Sequence, residues 1–214
     1  MKMSRKTVSV ATTLILALSI SEVCAQFVAD DSMRFGLKIR MGGRFDNVRK
    51  CVASKTGTKG GIAADVSATA DIPVSNGMIV QVDLPVMRPI LFAAAFKMLQ
   101  FEPTVTFKFY DKSNAAARWV GGPMLGVSLH YGPDYKSEAS GVGRTPSFFA
   151  MGPIVGGYAG LNFKRSNGDQ SRFQLGLSPY IIPLFGINDS QNHQGIVAGC
   201  LLDGSFGFGK RLNR

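Results

Sequence analysis

Residues 33–41 alternate strictly between apolar and polar positions, and this two-residue period limits most what the chain can fold into. The apolar positions are Met33, Phe35, Leu37, Ile39 and Met41, and the basic residues between them are Arg34, Lys38 and Arg40. Successive side chains of a β-strand point to opposite faces of the sheet. The period therefore predicts a strand with one apolar face and one charged face.

The same alternation recurs seven times further along the chain. It covers residues 62–72, 78–84, 101–109, 119–131, 149–163, 173–181 and 196–208. The composition agrees with many short strands and tight turns, because 25 of the 214 residues are glycine and only 18% are charged. The sequence therefore predicts an all-β fold with eight antiparallel strands.

The connections between these segments alternate in length. Four longer connections (44–60, 85–100, 132–147 and 186–194) are interleaved with three shorter ones (73–77, 111–117 and 164–171). Asn76-Gly77, in a shorter connection, is a strong hairpin signal. Short turns at one end and longer loops at the other are typical of an up-and-down barrel that spans a membrane.

The connection over residues 85–100 differs from the others. Pro89 is followed by strong helix formers, and proline suits the first turn of a helix. We expect an extended or partly helical external segment. The alternative is a further strand, which would bring the barrel to ten strands.

The first 25 residues carry export signals. Three basic residues precede an apolar run over 8–20, and aliphatic or small residues occupy the minus-three and minus-one positions of a cleavage site. The residues concerned are Lys2, Arg5, Lys6, Val23 and Ala25. The run is shorter than the roughly 20 residues of a membrane-spanning helix. We therefore predict a cleaved signal peptide over 1–25 and one β-barrel domain over 26–214.

The polar faces of the predicted strands carry nearly balanced charge. The cations are Arg34, Lys38, Arg40, Lys108 and Arg172, and the anions are Asp65, Asp71, Asp83 and Asp203. If the apolar face points outward, these groups share a lumen only wide enough for side chains. An unpaired charge there costs several kcal/mol. We therefore predict a paired network that fills the lumen, with the cations of the first strand between aspartates of the second and last strands.

Two smaller features concern reactive side chains. Ser128 and His130 share a strand face, as a nucleophile and its base would, but no third residue is identifiable to orient the histidine. We interpret both as polar lining and expect no enzymatic activity. Cys200 lies on the apolar face and Cys51 in the first longer connection, so we predict no disulfide.

The eight alternating segments and the unequal connections resemble the small outer-membrane β-barrel superfamily, which includes the OmpA membrane domain, OmpX and OmpW. The resemblance covers residues 33–208 and is one of architecture. It implies an outer-membrane location. One departure is that six residues, 209–214, follow Phe208, whereas such barrels commonly end on an aromatic residue.

Two classes of function are compatible with this pattern, and they differ in whether the outer surface of the barrel contacts lipid or water. The first is an outer-membrane barrel with a narrow, ion-paired lumen and a role in envelope integrity, adhesion or limited passage of small molecules. The alternative is a soluble, exported, lipocalin-like barrel that turns its apolar face inward around a hydrophobic ligand. For the first class we expect membrane lipid as the partner of a monomer. The scattered basic residues do not support nucleic-acid binding, and no cofactor or metal site is predicted.

Overall fold

The structure of the protein is a computed structural model, and it describes residues 33–46, 60–75, 77–96, 99–111, 116–133, 147–164, 172–187 and 195–208. Nine strands and one helix lie in these ranges. The strands are β1 (Arg34–Asp46), β2 (Gly60–Ser75), β3 (Met78–Pro85), β4 (Leu99–Phe101), β5 (Thr104–Tyr110), β6 (Ala117–Pro133), β7 (Ser147–Lys164), β8 (Arg172–Gly186) and β9 (Gly195–Phe208), and the helix is α1 (Met87–Phe96). The predicted signal peptide and Cys51 lie outside the described residues.

The strands form one antiparallel sheet that closes on itself. The ring is completed where β1 pairs with β9, from Phe35 opposite Phe208 to Asp46 opposite Val197. β4 and β5 pair with the same edge of β6 and are two segments of one strand of the wall. Pro103, which has no N–H to donate, lies between them. The wall is therefore an eight-stranded up-and-down barrel. The predicted fold is confirmed, and the described residues do not form the ten-stranded alternative.

The two ends of the barrel differ in their connections. The three shorter connections lie at one end, which we call the turn end, and the four longer ones lie at the opposite end, the loop end. In the hairpin between β2 and β3, Gly77 has a φ of 97°. Glycine adopts this left-handed conformation without the steric cost that other residues bear.

β1 is longer than its sequence pattern indicated. The first longer connection was predicted to begin at Arg44, but the strand continues to Asp46. Gly42 and Gly43 carry no side chains that could display the alternation, which resumes beyond them with Phe45 exposed and Arg44 and Asp46 buried. The extension brings two further charged groups into the lumen.

The apolar face of every long strand points outward. Leu37 is 46% exposed, Trp119 67% and Phe208 60%, whereas the residues that alternate with them face the interior. The lipocalin-like alternative needs this face inside the barrel, so it is wrong for the described residues. No helix in the described ranges has the length and apolar character to cross a membrane.

Residues 87–96, inside the longer connection between β3 and β4, form helix α1. Of the two forms expected for this segment, extended or partly helical, the structure shows the helical one, with Pro89 in the first turn. Arg88 is buried, whereas Ile90 and Leu91 are exposed. The helix thus attaches to the barrel through a charged residue and leaves apolar side chains outside.

The lumen is not uniformly polar. A cluster of buried apolar side chains fills part of it, mainly from β6 to β9: Ala63, Met124, Ile154, Tyr180, Ile182, Leu184, Val197 and Leu201. The expectation of a wholly ion-paired filling was therefore wrong for this side. The reason lies in β8, where the run 181–185 is apolar on both faces, as Ile182 and Leu184 point inward and Ile181 and Phe185 outward.

Tyr158 occupies the space left by two glycines. A Cβ atom added at Gly176 would lie 2.6 Å from Cζ of Tyr158 and 2.7 Å from the backbone oxygen of Ala159. A Cβ atom at Gly160 would lie 2.8 Å from the Tyr158 hydroxyl oxygen. The aromatic ring therefore packs against the backbone of β7 and β8, which only glycine permits at this separation.

We expect Gly176→Ala to lower the free energy of unfolding by about 1 to 3 kcal/mol, because the added methyl group overpacks the site. Urea denaturation of the refolded protein measures the change. Gly204→Ala is the matched control, since a Cβ atom there meets nothing within 4 Å. Equal unfolding free energies for the two variants would contradict the close packing of Tyr158.

Candidate functional site: the charged lumen

Buried polar side chains concentrate on the side of the lumen formed by β1 to β6. They include Lys38, Arg40, Arg44, Asp65, Gln81, Asp83, Gln100, Glu102, Thr104, Lys108, Ser128 and His130. The strand period places them there, since each alternates with an outward apolar residue. The lumen thus has a charged side and an apolar side.

Asp83 of β3 is the centre of one ion-paired cluster. Its Oδ2 atom lies 2.6 Å from Nζ of Lys38 and 2.6 Å from Nη2 of Arg40. The Thr104 hydroxyl donates to the same oxygen at 3.2 Å. One carboxylate therefore compensates two buried cations, and the contacts tie β1 to β3 and β5 across the lumen.

The cluster extends to β9 through Asp203. Nε of Arg40 lies 3.9 Å from Oδ1 of Asp203, which is too long for a hydrogen bond but close enough for electrostatic attraction. The Ser178 hydroxyl donates to Oδ2 of Asp203 at 2.5 Å. Asp203 therefore supplies a second negative charge beside Lys38 and Arg40.

A second cluster lies nearer the loop end and is built around Glu102, between β4 and β5. Arg44 donates to both of its oxygens, at 3.0 and 3.2 Å. Arg88 of α1 donates to Glu102 at 2.9 Å and, from Nε and Nη2, to Oδ2 of Asp65 at 3.3 and 3.2 Å. Arg88 thus bridges a carboxylate of β2 and the carboxylate between β4 and β5, and these bonds fix α1 to the barrel.

Ser128, His130 and Glu102 lie together, but not as a catalytic relay. The Ser128 hydroxyl and Nε2 of His130 are 2.5 Å apart, and Oε1 of Glu102 lies 3.1 Å from that same nitrogen. A relay needs the serine and the carboxylate on different ring nitrogens. Ser128 and His130 are also fully buried, in agreement with the polar lining expected from their shared strand face.

Lys108 occupies the lumen near Tyr158. Its ammonium lies 4.2 Å from the ring centroid, within the range of a cation–π interaction, and donates to Oε1 of Gln174 at 2.6 Å. Gln174 in turn donates to the Tyr110 hydroxyl at 2.7 Å. Among the described residues, these contacts hold Lys108 without a directly bonded carboxylate, unlike Lys38 and Arg40.

Most of the predicted charged residues lie inside the barrel. Buried side chains are found at Lys38, Arg40, Asp65, Asp71, Asp83, Lys108 and Asp203. Arg34 is half-buried opposite Asp71, and the side chain of Arg172 lies outside the described part.

The predicted partners, however, are partly wrong. Arg40 is opposite Asp65 and Asp203 in the strand register, yet it and Lys38 bond to Asp83. Asp71 accepts from Gln81 at 2.6 Å, and Asp65 accepts from Arg88. Long basic side chains reach beyond the adjacent strand, so the strand register alone does not determine which carboxylate each cation contacts.

Sequence reasoning missed the residues that build the second cluster. Arg44 was assigned to a connection, and Arg88 and Glu102 fall outside the alternating segments. A signal was present for Arg44, since it follows the even-numbered basic positions of β1. No local pattern marks Arg88, because only the docked helix brings it to Asp65.

Cys200 is a free, exposed cysteine on the outer face of β9, as predicted from its register. The other cysteine of the disulfide prediction, Cys51, lies outside the described residues. Within the described ranges, no group of three or more histidine, cysteine or acidic side chains is arranged to hold a metal ion.

Comparison with known proteins adds little to this description. No protein-family model and no curated protein matches the sequence. Among solved structures, the chain is similar to the crystal structure of Neisserial surface protein A (NspA), with a TM-score of 0.44 and 6% sequence identity over 82% of this chain and 97% of that chain. The conclusions below therefore rest on the side chains of the barrel itself.

We expect Asp83→Asn to lower the free energy of unfolding by about 3 to 5 kcal/mol, because it leaves two buried cations without their nearest counter-ion. Chemical denaturation measures the loss. Asp111→Asn is the control, since it makes the same chemical change at an exposed residue, where a charge contributes little. Similar stabilities for both variants would show that Asp83 does not compensate Lys38 and Arg40.

We expect Arg88→Gln to speed amide hydrogen exchange throughout α1 by about tenfold or more, because charge-assisted bonds worth about 1.5 to 3 kcal/mol each are lost. Arg88→Lys keeps the charge but cannot bridge both carboxylates, so an intermediate rate is expected. Mass spectrometry of exchange in peptides from α1 and β6 provides the comparison. Unchanged exchange in α1 would show that Arg88 does not hold the helix.

Proposed function

We propose that the protein is an integral outer-membrane β-barrel, exported with a cleaved signal peptide, that acts as a closed scaffold for external loops. In this proposal its role is in envelope integrity or adhesion. The lumen is filled and does not conduct, so passage of solutes is not its main task. Outer-membrane lipid is the partner, and the barrel functions as a monomer without a cofactor.

The height of the outward apolar face is the observation that carries the proposal. On β1 the outward side chains from Phe35 to Phe45 are exposed and apolar, apart from Gly43. Ten steps of about 3.3 Å at a tilt near 40° cover about 25 Å, the height of the apolar band of such barrels. A protein in water would not present this much apolar surface.

Aromatic residues at both margins of this band support the same proposal. Exposed rings near the turn end belong to Phe35, Phe109, Trp119, Phe173, Phe206 and Phe208, and those near the loop end to Phe45, Tyr131 and Phe185. Phe163, Phe173 and Phe206 form a continuous row across β7, β8 and β9, with centroid separations of 5.7 and 5.0 Å. Aromatic girdles at the two interfaces are typical of membrane barrels.

The packing of the lumen supports a scaffold rather than a channel. Lys38, Asp83 and Lys108 span its charged side and are at most 1% exposed. Ile182, Leu184 and Val197 fill the apolar side and are equally inaccessible. An eight-stranded barrel is only wide enough for its own side chains, so little space remains for a solute.

Site-directed labelling tests the membrane location. In a cysteine-free background reconstituted in lipid vesicles, we expect Leu37→Cys to react with a lipid-soluble maleimide and to resist a charged, water-soluble one. Ser67→Cys, at a buried inward position, is the control that should resist both. Rapid reaction of position 37 with the water-soluble reagent, in protein that stays soluble without detergent, would contradict the proposal.

Planar-bilayer recording tests whether the lumen is closed. We expect no large, steady conductance from the folded protein, because ion pairs and apolar side chains fill its interior. Heat-modifiable migration on gels verifies that the inserted protein is folded. A large and steady conductance would contradict the scaffold proposal and favour transport.

A further inference from the structure

The wall of the barrel is incomplete as a β-sheet on one side of the loop end. β2 has 16 residues, but β3 has 8 and pairs with β2 only as far as Ser67 opposite Pro85. Beyond that point, residues 60–65 of β2 have β1 on one side and no strand on the other within the described chain. The next strand segment at this level, β4, pairs with β6.

Helix α1 occupies the interval between β2 and β4. The backbone N–H of Val86 donates to the carbonyl oxygen of Val66 at 2.9 Å, which continues the β2–β3 pairing by one bond. The N–H of Arg88 then donates to Oδ1 of Asp65 at 2.9 Å. The first turn of α1 is therefore attached to β2 where β3 ends.

The length of β3 places this point within the apolar band. Seven steps of about 3.3 Å at a tilt near 40° give a height of about 18 Å, whereas the apolar band is about 25 Å tall. A strand that starts at the turn-end margin therefore stops short of the opposite margin. The remaining height on this side is covered by the beginning of α1.

The two sides of α1 differ in chemistry. Arg88 and Phe92, four residues apart, lie toward the barrel and are buried and half-buried, respectively. The outward stripe contains Ile90, 62% exposed, and Leu91, 51% exposed, together with exposed alanines at 93 and 94. Apart from Arg88, the helix contains no charged or hydrogen-bonding side chain.

We propose that the outward stripe of α1 is a lipid-binding surface that contacts the acyl chains of the outer leaflet and completes the wall between β2 and β4. This inference rests on the proposed membrane location. Three residues make the stripe continuous with the outward face of the strands: Leu84 on β3, Val86 before the helix and Leu99 on β4, all exposed and apolar. The outward stripe of α1 therefore lies at the height of the apolar band of the strands, and acyl chains that surround this band also contact the stripe.

The charge distribution also favours lipid over water. A ten-residue helix is marginal in water, and its stability must come from packing of its apolar side chains. In α1 only one side packs on the barrel, and its one charged residue, Arg88, points inward and pairs with Asp65 and Glu102. The helix pairs its interior backbone groups itself, and the N–H of Arg88 in its first turn donates to Asp65. The free edge of a strand would leave its backbone groups unpaired in hydrocarbon.

Fluorescence quenching by brominated lipid tests the proposal. Single-cysteine variants Ile90→Cys and Leu91→Cys carry an environment-sensitive fluorophore in vesicles of acyl-brominated phosphatidylcholine. Leu177→Cys, on the outward face of β8, is the positive control. Ser75→Cys, exposed at the turn-end hairpin between β2 and β3, is the negative control. Heat-modifiable migration verifies that each variant is folded. We expect the loss of fluorescence at positions 90 and 91 to match that at 177, with little quenching at 75.

The controls separate failure of this inference from failure of the proposed function. Quenching at 177 but not at 90 and 91 would overturn the lipid contact of α1 and leave the membrane barrel standing. Quenching of 90 and 91 by aqueous iodide would place the stripe in water, and protection from both quenchers would indicate a protein cover such as a second copy; either result overturns the proposal. Absence of lipid quenching at 177 would overturn the membrane location itself.

Discussion

Closure of the sheet between β1 and β9 is the constraint on which the rest of the structure depends. The outward face is apolar, and in the proposed membrane setting an open sheet would leave the backbone N–H and C=O groups of its first and last strands without partners. Pairing of β1 with β9 over twelve residue pairs satisfies these two strands. Closing the ring with only eight strands makes the interior narrow. Every inward side chain must then find its partner among the other inward side chains.

The interior meets this requirement in two different ways. On the side of β1 to β6, charges are compensated by direct contacts centred on Asp83 and Glu102. On the side of β7 to β9, aliphatic side chains such as Ile182 and Val197 need no polar partner. Tyr158 lies at the boundary, with its ring facing Lys108 and its edge against glycine backbone. Because charged and aliphatic side chains occupy different sides of the lumen, no charge in its described part is buried against aliphatic groups alone, which would cost free energy.

Helix α1 links the wall to the interior network. It begins where β3 ends, and its one charged side chain reaches the carboxylates of Asp65 and Glu102. The same ion pairs therefore neutralise buried acids and hold the helix in position. In the proposed membrane setting, this leaves only apolar side chains on the outside of the wall at the point where the sheet is incomplete.

The sequence by itself determined the number of strands in the wall and the face to which each strand residue points. A two-residue period follows directly from backbone geometry, so residues as distant as Leu37 and Cys200 are assigned correctly without knowledge of any contact. Helix α1 was also foreseeable, because Pro89 and the residues after it have local preferences that the fold retains. The extension of β1 was hidden only because two glycines interrupt the pattern.

Only the tertiary structure decided which inward residues meet. The shortest ion pairs of Lys38 and Arg40 are with Asp83, and not with the two aspartates that lie opposite Arg40 on the neighbouring strands. The interruption between β4 and β5 places Glu102 next to Arg44 and Arg88. The apolar side of the lumen likewise depends on which strands close around it. Periodicity is a property of one strand, whereas contacts across a lumen depend on how strands are staggered around the ring and on how far flexible side chains extend.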